Sequence, residues 1–371
     1  MPVSELSPED ALRLNVLLAN QPQAIRINES SMTLFGLLRE SETKFKLNPN
    51  CPDEKYLKQV RSVLSEHALG NPAGYPLYLQ RWTRMGKMRD ESLNALLKLG
   101  DPEAVFAVVC AEGLTDELAR RAWWASEEPE NARRMLQTRA VAEGNTGKML
   151  ARFLVEYLPF ETETETMIES VRVAMRPGLL PESERAALWK KSARKTSYLA
   201  GFIAAAPDNL PDRMPQRSDL PAIRDLLSGH TAPAVGVLLK SLSESGQLFL
   251  DACLRIIHKP PSQDVITTTL EALRDYYAVL RPAGDPDLTL EQLHDGASAF
   301  VNSAPLQPVL AKMPSLRRDF QAIHVLSGLG FGVLRPELKG SSAMGGLMRR
   351  KLEPVLRGIS DQINVLLGRV T

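Results

Sequence analysis

The chain has 371 residues, of which 44% are hydrophobic and 24% are charged. This composition supplies enough apolar side chains for a substantial core, and it excludes a chain that is disordered throughout. The formal net charge is only +1, so the chain as a whole has no strong positive field to attract a polyanion. Electrostatic contacts with a partner are therefore expected from local patches.

The cysteines and the apolar segments bear on the compartment. Cys51, Cys110 and Cys253 lie far apart and form no CxxC motif, which favours a reduced compartment over a disulfide framework. The first charged residue of the chain, Glu5, is acidic, and the N-terminal segment lacks a basic region followed by an apolar one, so no signal peptide is predicted. The longest uncharged apolar stretch, residues 320–334, is shorter than the roughly 20 residues of a membrane-spanning helix. We expect a soluble cytoplasmic protein without a membrane span.

The first fifty residues combine a helix with short strands. Ser7 and Pro8, followed by two acidic residues, predict the start of a helix that ends near residues 19–20. Three segments with alternating or strand-like patterns follow, separated by polar turns: residues 24–28, 32–36 and 43–47. They predict a small antiparallel β-meander.

Beyond Pro52 the strand signals disappear. Helical segments of about 10–17 residues alternate with proline, glycine and acidic turn signals. Residues 96–105 have the residue pattern of a turn between the two helices of a HEAT-like repeat. The predicted fold class is therefore mainly α, with a small N-terminal antiparallel β-meander. The repeat is degenerate, so a HEAT-like α-α superhelix and a compact helical array both stay open.

The predicted domain organisation follows the change of pattern and the most loop-like stretch, where Pro207, Pro211 and Pro215 fall among polar residues. The predicted parts are a helix with a β-meander over 1–50, a helical-repeat region over 51–206, a linker over 207–220, a second helical region over 221–338, and a flexible stretch with a C-terminal amphipathic helix over 339–371.

The sequence motifs that could indicate a catalytic or ligand-binding site are incomplete. The segment 144–149 resembles a phosphate-binding loop, but it lacks the first glycine, the hydroxyl residue and the preceding strand, so it predicts a turn between helices. The glycines of 328–332 lack the spacing of a dinucleotide loop and predict a turn or close helix packing. Glu291 and His294 could form one half of a di-iron site, but no second Glu-x-x-His exists, so they predict a surface pair. The sequence accordingly predicts no catalytic residue, no cofactor and no metal ligand.

A first candidate interaction surface lies around residues 185–195. Its basic residues are grouped by helical spacing beside one tryptophan, a pattern that fits phosphate neutralisation and stacking in nucleic-acid binding. A solvated helix face, balanced by the acidic run 161–165, is the more common reason for such a pattern. The candidate residues are Arg185, Trp189, Lys190, Lys191, Arg194 and Lys195.

A second candidate surface is the start of the C-terminal helix, with Arg349, Arg350 and Lys351. The helix carries one apolar stripe over residues 348–366. It could dock on an acidic protein or on an anionic membrane surface. Packing of the stripe against the last helices of the same chain is the favoured interpretation.

Several segments resemble one family. They are ALRLNVLLAN (residues 11–20), QAIRI (23–27), SMTL (31–34) and GLTDELARRAWW (113–124). These runs and the overall length are similar to those of DsrS proteins, which are encoded among the dissimilatory sulfite reductase genes of sulfur-oxidising bacteria. The resemblance implies a cytoplasmic accessory or regulatory role in the oxidation of stored sulfur, and it supplies no catalytic residues.

Three functional hypotheses follow. The first is a non-enzymatic accessory or regulatory protein in sulfur oxidation that acts as a scaffold for unidentified protein partners. The second is an RNA- or DNA-binding helical regulator that uses the basic face around 185–195. The third is an enzyme of unrecognised type, whose catalytic groups converge from distant parts of the chain.

Overall fold

The computed structural model describes residues 6–39, 41–70, 90–285, 287–338 and 345–369. The protein is mainly helical and has a three-stranded antiparallel sheet near its N-terminus, so the predicted class is confirmed. The chain divides into two compact units, Met1–Tyr157 and Leu158–Thr371.

The first unit contains the sheet and the helices around it. Its described elements are helix α1 (Pro8–Ala19), strands β1 (Ala24–Asn28), β2 (Thr33–Leu37) and β3 (Glu42–Lys46), and helices α2 (Asp53–Leu69), α3 (Asp90–Leu96), α4 (Pro102–Val109), α5 (Asp116–Ala125), α6 (Pro129–Gln137), α7 (Arg139–Ala142) and α8 (Asn145–Tyr157).

The predicted meander is present, with each strand within one residue of its predicted position and the order β1-β2-β3. Its inner face packs against α1 and α2 around a cluster that includes Leu14, Ile25, Leu34 and Val60. A Cβ atom on Gly36 would lie 2.5 Å from a methyl group of Leu17, so glycine at this position lets α1 approach the sheet.

A buried polar group joins the start of α1 to α2. Ser7 caps the helix as predicted, because its Oγ accepts the N–H of Asp10 at 3.4 Å. The carboxylate of Asp10 is buried and accepts the Tyr56 hydroxyl at 2.5 Å and the N–H of Asn48 at 2.7 Å. Burial raises the pKa of Tyr56, and its hydrogen bond to Asp10 acts in the same direction.

The second unit is entirely helical in its described part. It begins with a 3₁₀ turn, Leu158–Phe160, and continues with α9 (Thr164–Ala174), α10 (Glu182–Ser192), α11 (Thr196–Ala205), α12 (Leu220–Leu226), α13 (Pro233–Leu242), α14 (Glu244–His258), α15 (Gln263–Tyr276), α16 (Leu290–Val301), α17 (Gln307–Lys312), α18 (Arg317–Ser327), α19 (Arg335–Leu338) and α20 (Gly345–Leu366), with further 3₁₀ turns at Ala278–Leu280, Pro314–Leu316 and Phe331–Val333.

Helix α11 has a continuous run of buried residues from Ser197 to Ile203. It packs against α9, α10, α14 and α15. A Cβ atom on Gly201 would lie 2.5 Å from the Cβ of Val171, so this glycine allows α9 and α11 to approach closely. Helices before and after the predicted linker 207–220 therefore share one core.

Arg217 fixes the loop that the sequence predicted as a linker. Its guanidinium binds both carboxylate oxygens of Asp219, at 2.7 and 3.0 Å, and also donates to Asp319 on α18 and to the carbonyl of Val365 on α20, the last at 3.4 Å. Its backbone N–H donates to the carbonyl of Leu242 at 2.9 Å. The loop lies inside the second unit, and the chain divides between residues 157 and 158 instead.

None of the described helices combines the length and the apolar character that a membrane crossing requires. Of the predicted C-terminal part, the amphipathic helix is present as α20, and residues 339–344 of the predicted flexible stretch lie outside the described residues.

Candidate interaction surfaces

The segment that resembles a phosphate-binding loop is a turn whose donors are already occupied. Gly144 precedes α8, and the carboxylate of Asp116 accepts the N–H groups of Asn145 and Thr146 at 3.3 and 3.1 Å. A carboxylate of the protein thus occupies the helix N-terminus where a phosphate would bind. The prediction of an ordinary turn between helices is confirmed.

The other two motifs are also structural. Gly328 ends α18, and a Cβ atom there would lie 2.3 Å from a methyl group of Leu293, so the glycine serves close packing. Glu291 and His294 are exposed on α16, as a surface pair would be. In the part of the chain that the structure describes, no group of three or more His, Cys, Asp or Glu residues could hold a metal ion.

Two residues of the first candidate surface are buried. Arg185 has only 2% of its surface exposed; it binds Glu182 at 2.5 Å and the carbonyl of Asn209 at 2.6 Å. Trp189 is 7% exposed and packs edge-to-face on Phe202, with ring centroids 5.2 Å apart. The prediction that Arg185 and Trp189 belong to an exposed surface is therefore wrong.

The remaining four cations form one exposed cluster, which we call the basic corner: Lys190, Lys191, Arg194 and Lys195. It covers the end of α10 and the turn into α11. Within the described residues none of the four forms an ion pair. Lys195 Nζ lies 5.6 Å from the centroid of the Tyr198 ring.

The helix dipoles favour the positions of only two of the four cations in the basic corner. Lys190 and Lys191 lie in the last turn of α10, where cations are stabilised by the helix dipole. Lys195 is the N-cap of α11, which has no side-chain cap, and Arg194 precedes it. Cations are unfavourable at a helix N-terminus. Helix stability therefore does not account for Arg194 and Lys195.

The apolar stripe of the C-terminal helix packs within the second unit, as the favoured interpretation predicted. Helix α20 contacts α14, α18 and α19, and its buried residues include Met348, Leu352, Ile359 and Ile363. Because the helix begins at Gly345, the three basic residues 349–351 lie one turn inside it rather than at its first residue.

Another part of the surface of α20 lines an open groove of about 640 Å³. The groove lies between α20 and the end of α14, and its apolar floor contains Ile257, Pro260 and Leu356. Its polar lining consists of His258, Arg349, Arg350, Glu353, Arg357, Ser360, Asp361 and Asn364.

The charged side chains of this groove are largely unpaired. Arg349 donates to the carbonyl of Pro260 at 3.4 Å. Within the described residues, Arg350, Glu353, Arg357 and Asp361 form no ion pair. A concave surface on which unpaired charges converge is a typical binding site.

Sequence reasoning found only part of this groove. It identified Arg349 and Arg350, whereas Lys351 does not line the groove. It missed Arg357 and Asp361, although the four-residue spacing of charges along the helix is visible in the sequence. It could not find His258, because this residue reaches the groove from another helix.

A second cavity, of about 490 Å³, is lined by the loop after α11 and by the start of α14. Two of its acidic side chains already have partners. Asp208 pairs with Lys240 at 2.8 Å, and Asp212 accepts the indole N–H of Trp189 at 3.4 Å. The groove along α20 is therefore the stronger binding candidate.

No family model, no curated protein and no solved structure matches this chain. The resemblance to DsrS proteins stays a prediction from the sequence.

Proposed function

We propose that this protein is a cytoplasmic accessory protein in the oxidation of stored sulfur, and that it acts by contact, with the basic corner binding an acidic protein partner. The pathway and the compartment are suggested by the resemblance to DsrS proteins. The mode of action is suggested by one observation: four exposed cations lie together without an acidic partner in the described residues.

Several properties of the corner favour a protein partner. Charged groups on an exposed surface guide association and select partners of opposite charge. Arg194 and Lys195 lie where the α11 dipole opposes them, which fits a role outside helix stability. The burial of Trp189 removes the aromatic side chain on which a nucleic-acid base would stack.

The test compares two double charge reversals in the full chain. Lys191→Glu with Lys195→Glu changes the basic corner, and Lys55→Glu with Lys58→Glu makes the same change of charge on the exposed side of α2. Each variant is used to capture proteins from a native extract of a sulfur-oxidising bacterium, with and without nuclease. We expect the first variant alone to lose an acidic partner, and nuclease to have no effect.

The same variants test the pathway in cells. A strain that carries Lys191→Glu with Lys195→Glu should oxidise stored sulfur more slowly than a strain with the α2 control. Equal rates in the two strains, together with equal capture, would contradict the proposal.

Nucleic-acid binding is the second candidate, because four clustered cations can neutralise several phosphates. It predicts a different salt dependence. With four phosphate contacts, the logarithm of the association constant would fall with the logarithm of salt concentration with a slope of roughly −3 to −4. Capture that disappears after nuclease treatment would favour this candidate over a protein partner.

A further inference from the structure

The charges along the groove of α20 follow a regular order. Arg349, Glu353, Arg357 and Asp361 are each four residues apart, so their signs read plus, minus, plus, minus in order along the helix. We call these four residues the charge ladder. Residues at this spacing are neighbours on a helix and commonly pair with one another. Here they form no ion pair with one another or with any other described residue, and all four line the groove.

The length of the ladder indicates what it can bind. Twelve residues separate Arg349 from Asp361, which at about 1.5 Å per residue gives a length of about 18 Å. A small anion would contact one end only, and the acidic residues at the other positions would repel it. A polypeptide segment with charges spaced along its length can reach all four residues.

The order of signs is complementary to itself. When a second α20 runs antiparallel to the first, its ladder reads minus, plus, minus, plus from the same end. In the register that places the two-fold axis at the level of Val355, Glu353 faces Arg357 of the second copy, and Arg349 faces Asp361 of the second copy. Each of these contacts occurs twice, as it does in any interface that uses the same patch on both subunits.

We propose that the groove along α20 is the interface of a homodimer, in which the α20 helices of two copies lie antiparallel and pair their charge ladders. Exposed apolar residues of α20 beside the groove would be covered at the same time. Leu347 is 54% exposed, and Pro354, next to the level of the axis, is exposed as well. Exposed ion pairs contribute little affinity individually, so the apolar surface supplies attraction and the ladder fixes register and direction.

The experiment measures the mass of the full chain by sedimentation at increasing concentration. The wild-type protein should change from the 41.0 kDa of the monomer to twice that mass. Glu353→Arg or Arg357→Glu alone places like charges opposite each other at two symmetric positions. Either variant should raise the dimer dissociation constant at least about 100-fold. Higher salt should also weaken the wild-type dimer.

Two further combinations of variants distinguish the loss of charge pairing between the copies from the loss of a folded chain. An equimolar mixture of the two single variants should form a heterodimer, because 353 and 357 then carry opposite charges across the axis. The double variant E353R with R357E should dimerise with itself for the same reason. The substitutions Glu353→Gln and Arg357→Gln remove the charge without reversing it, so they should weaken the dimer less than the charge reversals do. If a charge-reversal variant fails to fold, the dimer dissociation constants of these neutral variants test the proposal in its place.

Arg224→Glu and Glu291→Arg are matched controls, since both residues are exposed and lie outside the groove. Neither change should affect the mass. A wild-type chain that stays monomeric up to about 100 μM would overturn the proposal. So would a dimer that the single reversals leave intact, or single variants that fail to associate when they are mixed.

Discussion

At the scale of single residues, His324 is a buried titratable group whose ionisation the fold opposes. It is 8% exposed, its Nδ1 has no hydrogen-bond partner in the described structure, and its ring stacks on Phe300 with centroids 4.6 Å apart. Burial lowers the pKa of His324 from its ordinary value of 6.5. The unfolded chain therefore binds this proton more readily than the folded chain.

The first residue-scale consequence is a pH dependence of stability. The stabilisation contributed by neutral His324 is complete above about pH 6.5 and is lost as the pH falls toward the lower pKa of the folded state. In urea unfolding between pH 7.5 and 5, the free energy of unfolding should decrease as the pH is lowered. His324 can contribute a slope of at most about 1.4 kcal/mol per pH unit.

His324→Gln should flatten this slope, whatever it does to absolute stability. His294→Gln is the matched control, since His294 is exposed on α16. Equal slopes for the two variants would show that His324 does not titrate as its burial implies.

At the scale of elements, the sequence was most informative where one periodicity dominated. The strands and α1 were predicted within about one residue, because alternation and the Ser7–Pro8 start are local signals. The buried stripe of α20 was predicted for the same reason. The first candidate surface shows the limit of this reasoning.

Helical spacing alone groups residues but does not say which side of the helix faces the core. Arg185, Leu188, Trp189 and Ser192 form the inward stripe of α10, and a stripe that begins with arginine does not look apolar. Arg185 can be buried because the carbonyl of Asn209, from a distant loop, accepts its guanidinium N–H. The α20 groove was only half found for a similar reason, since part of its lining comes from another helix.

The loop 207–219 provides an element-scale prediction. Arg217→Ala would leave the carboxylate of Asp319, on α18, buried without its cationic partner. Breaking a buried ion pair in this way typically costs about 3–5 kcal/mol. We expect a loss of this size in urea unfolding, together with faster proteolysis within the loop.

Arg213→Ala is the control for that prediction, because Arg213 is exposed in the same loop. Its effect should stay within about 0.5 kcal/mol. The double variant Arg217→Ala with Asp319→Ala should lose less than the sum of the two single changes, since the residues are in contact. Additive losses would show that the pair is not what holds the loop.

At the scale of the whole molecule, the division into two units was not predicted. The proline-rich loop after α11 carries stronger local turn signals than the segment around Pro159, so a reading of local signals places the boundary in the loop. The boundary is decided by tertiary contacts instead. Helices on both sides of the loop pack on α11, and Arg217 fixes the loop to α18 and α20.

Each of the two units contains buried apolar residues, and this leads to a prediction about the chain cut at its division. The first unit has a continuous cluster formed by α1, the sheet and α2, and the second has the helices around α11. A compact unit with its own core can fold alone.

Polypeptides 1–157 and 158–371, produced separately, should each show a helical circular dichroism spectrum and one cooperative thermal transition. Cutting at residue 213 instead separates α11 from α14 and α15, which pack against it, so both products should aggregate or melt without cooperativity. If the second pair of fragments folded as well as the first, the core around α11 would not be the unit of stability that the contacts describe.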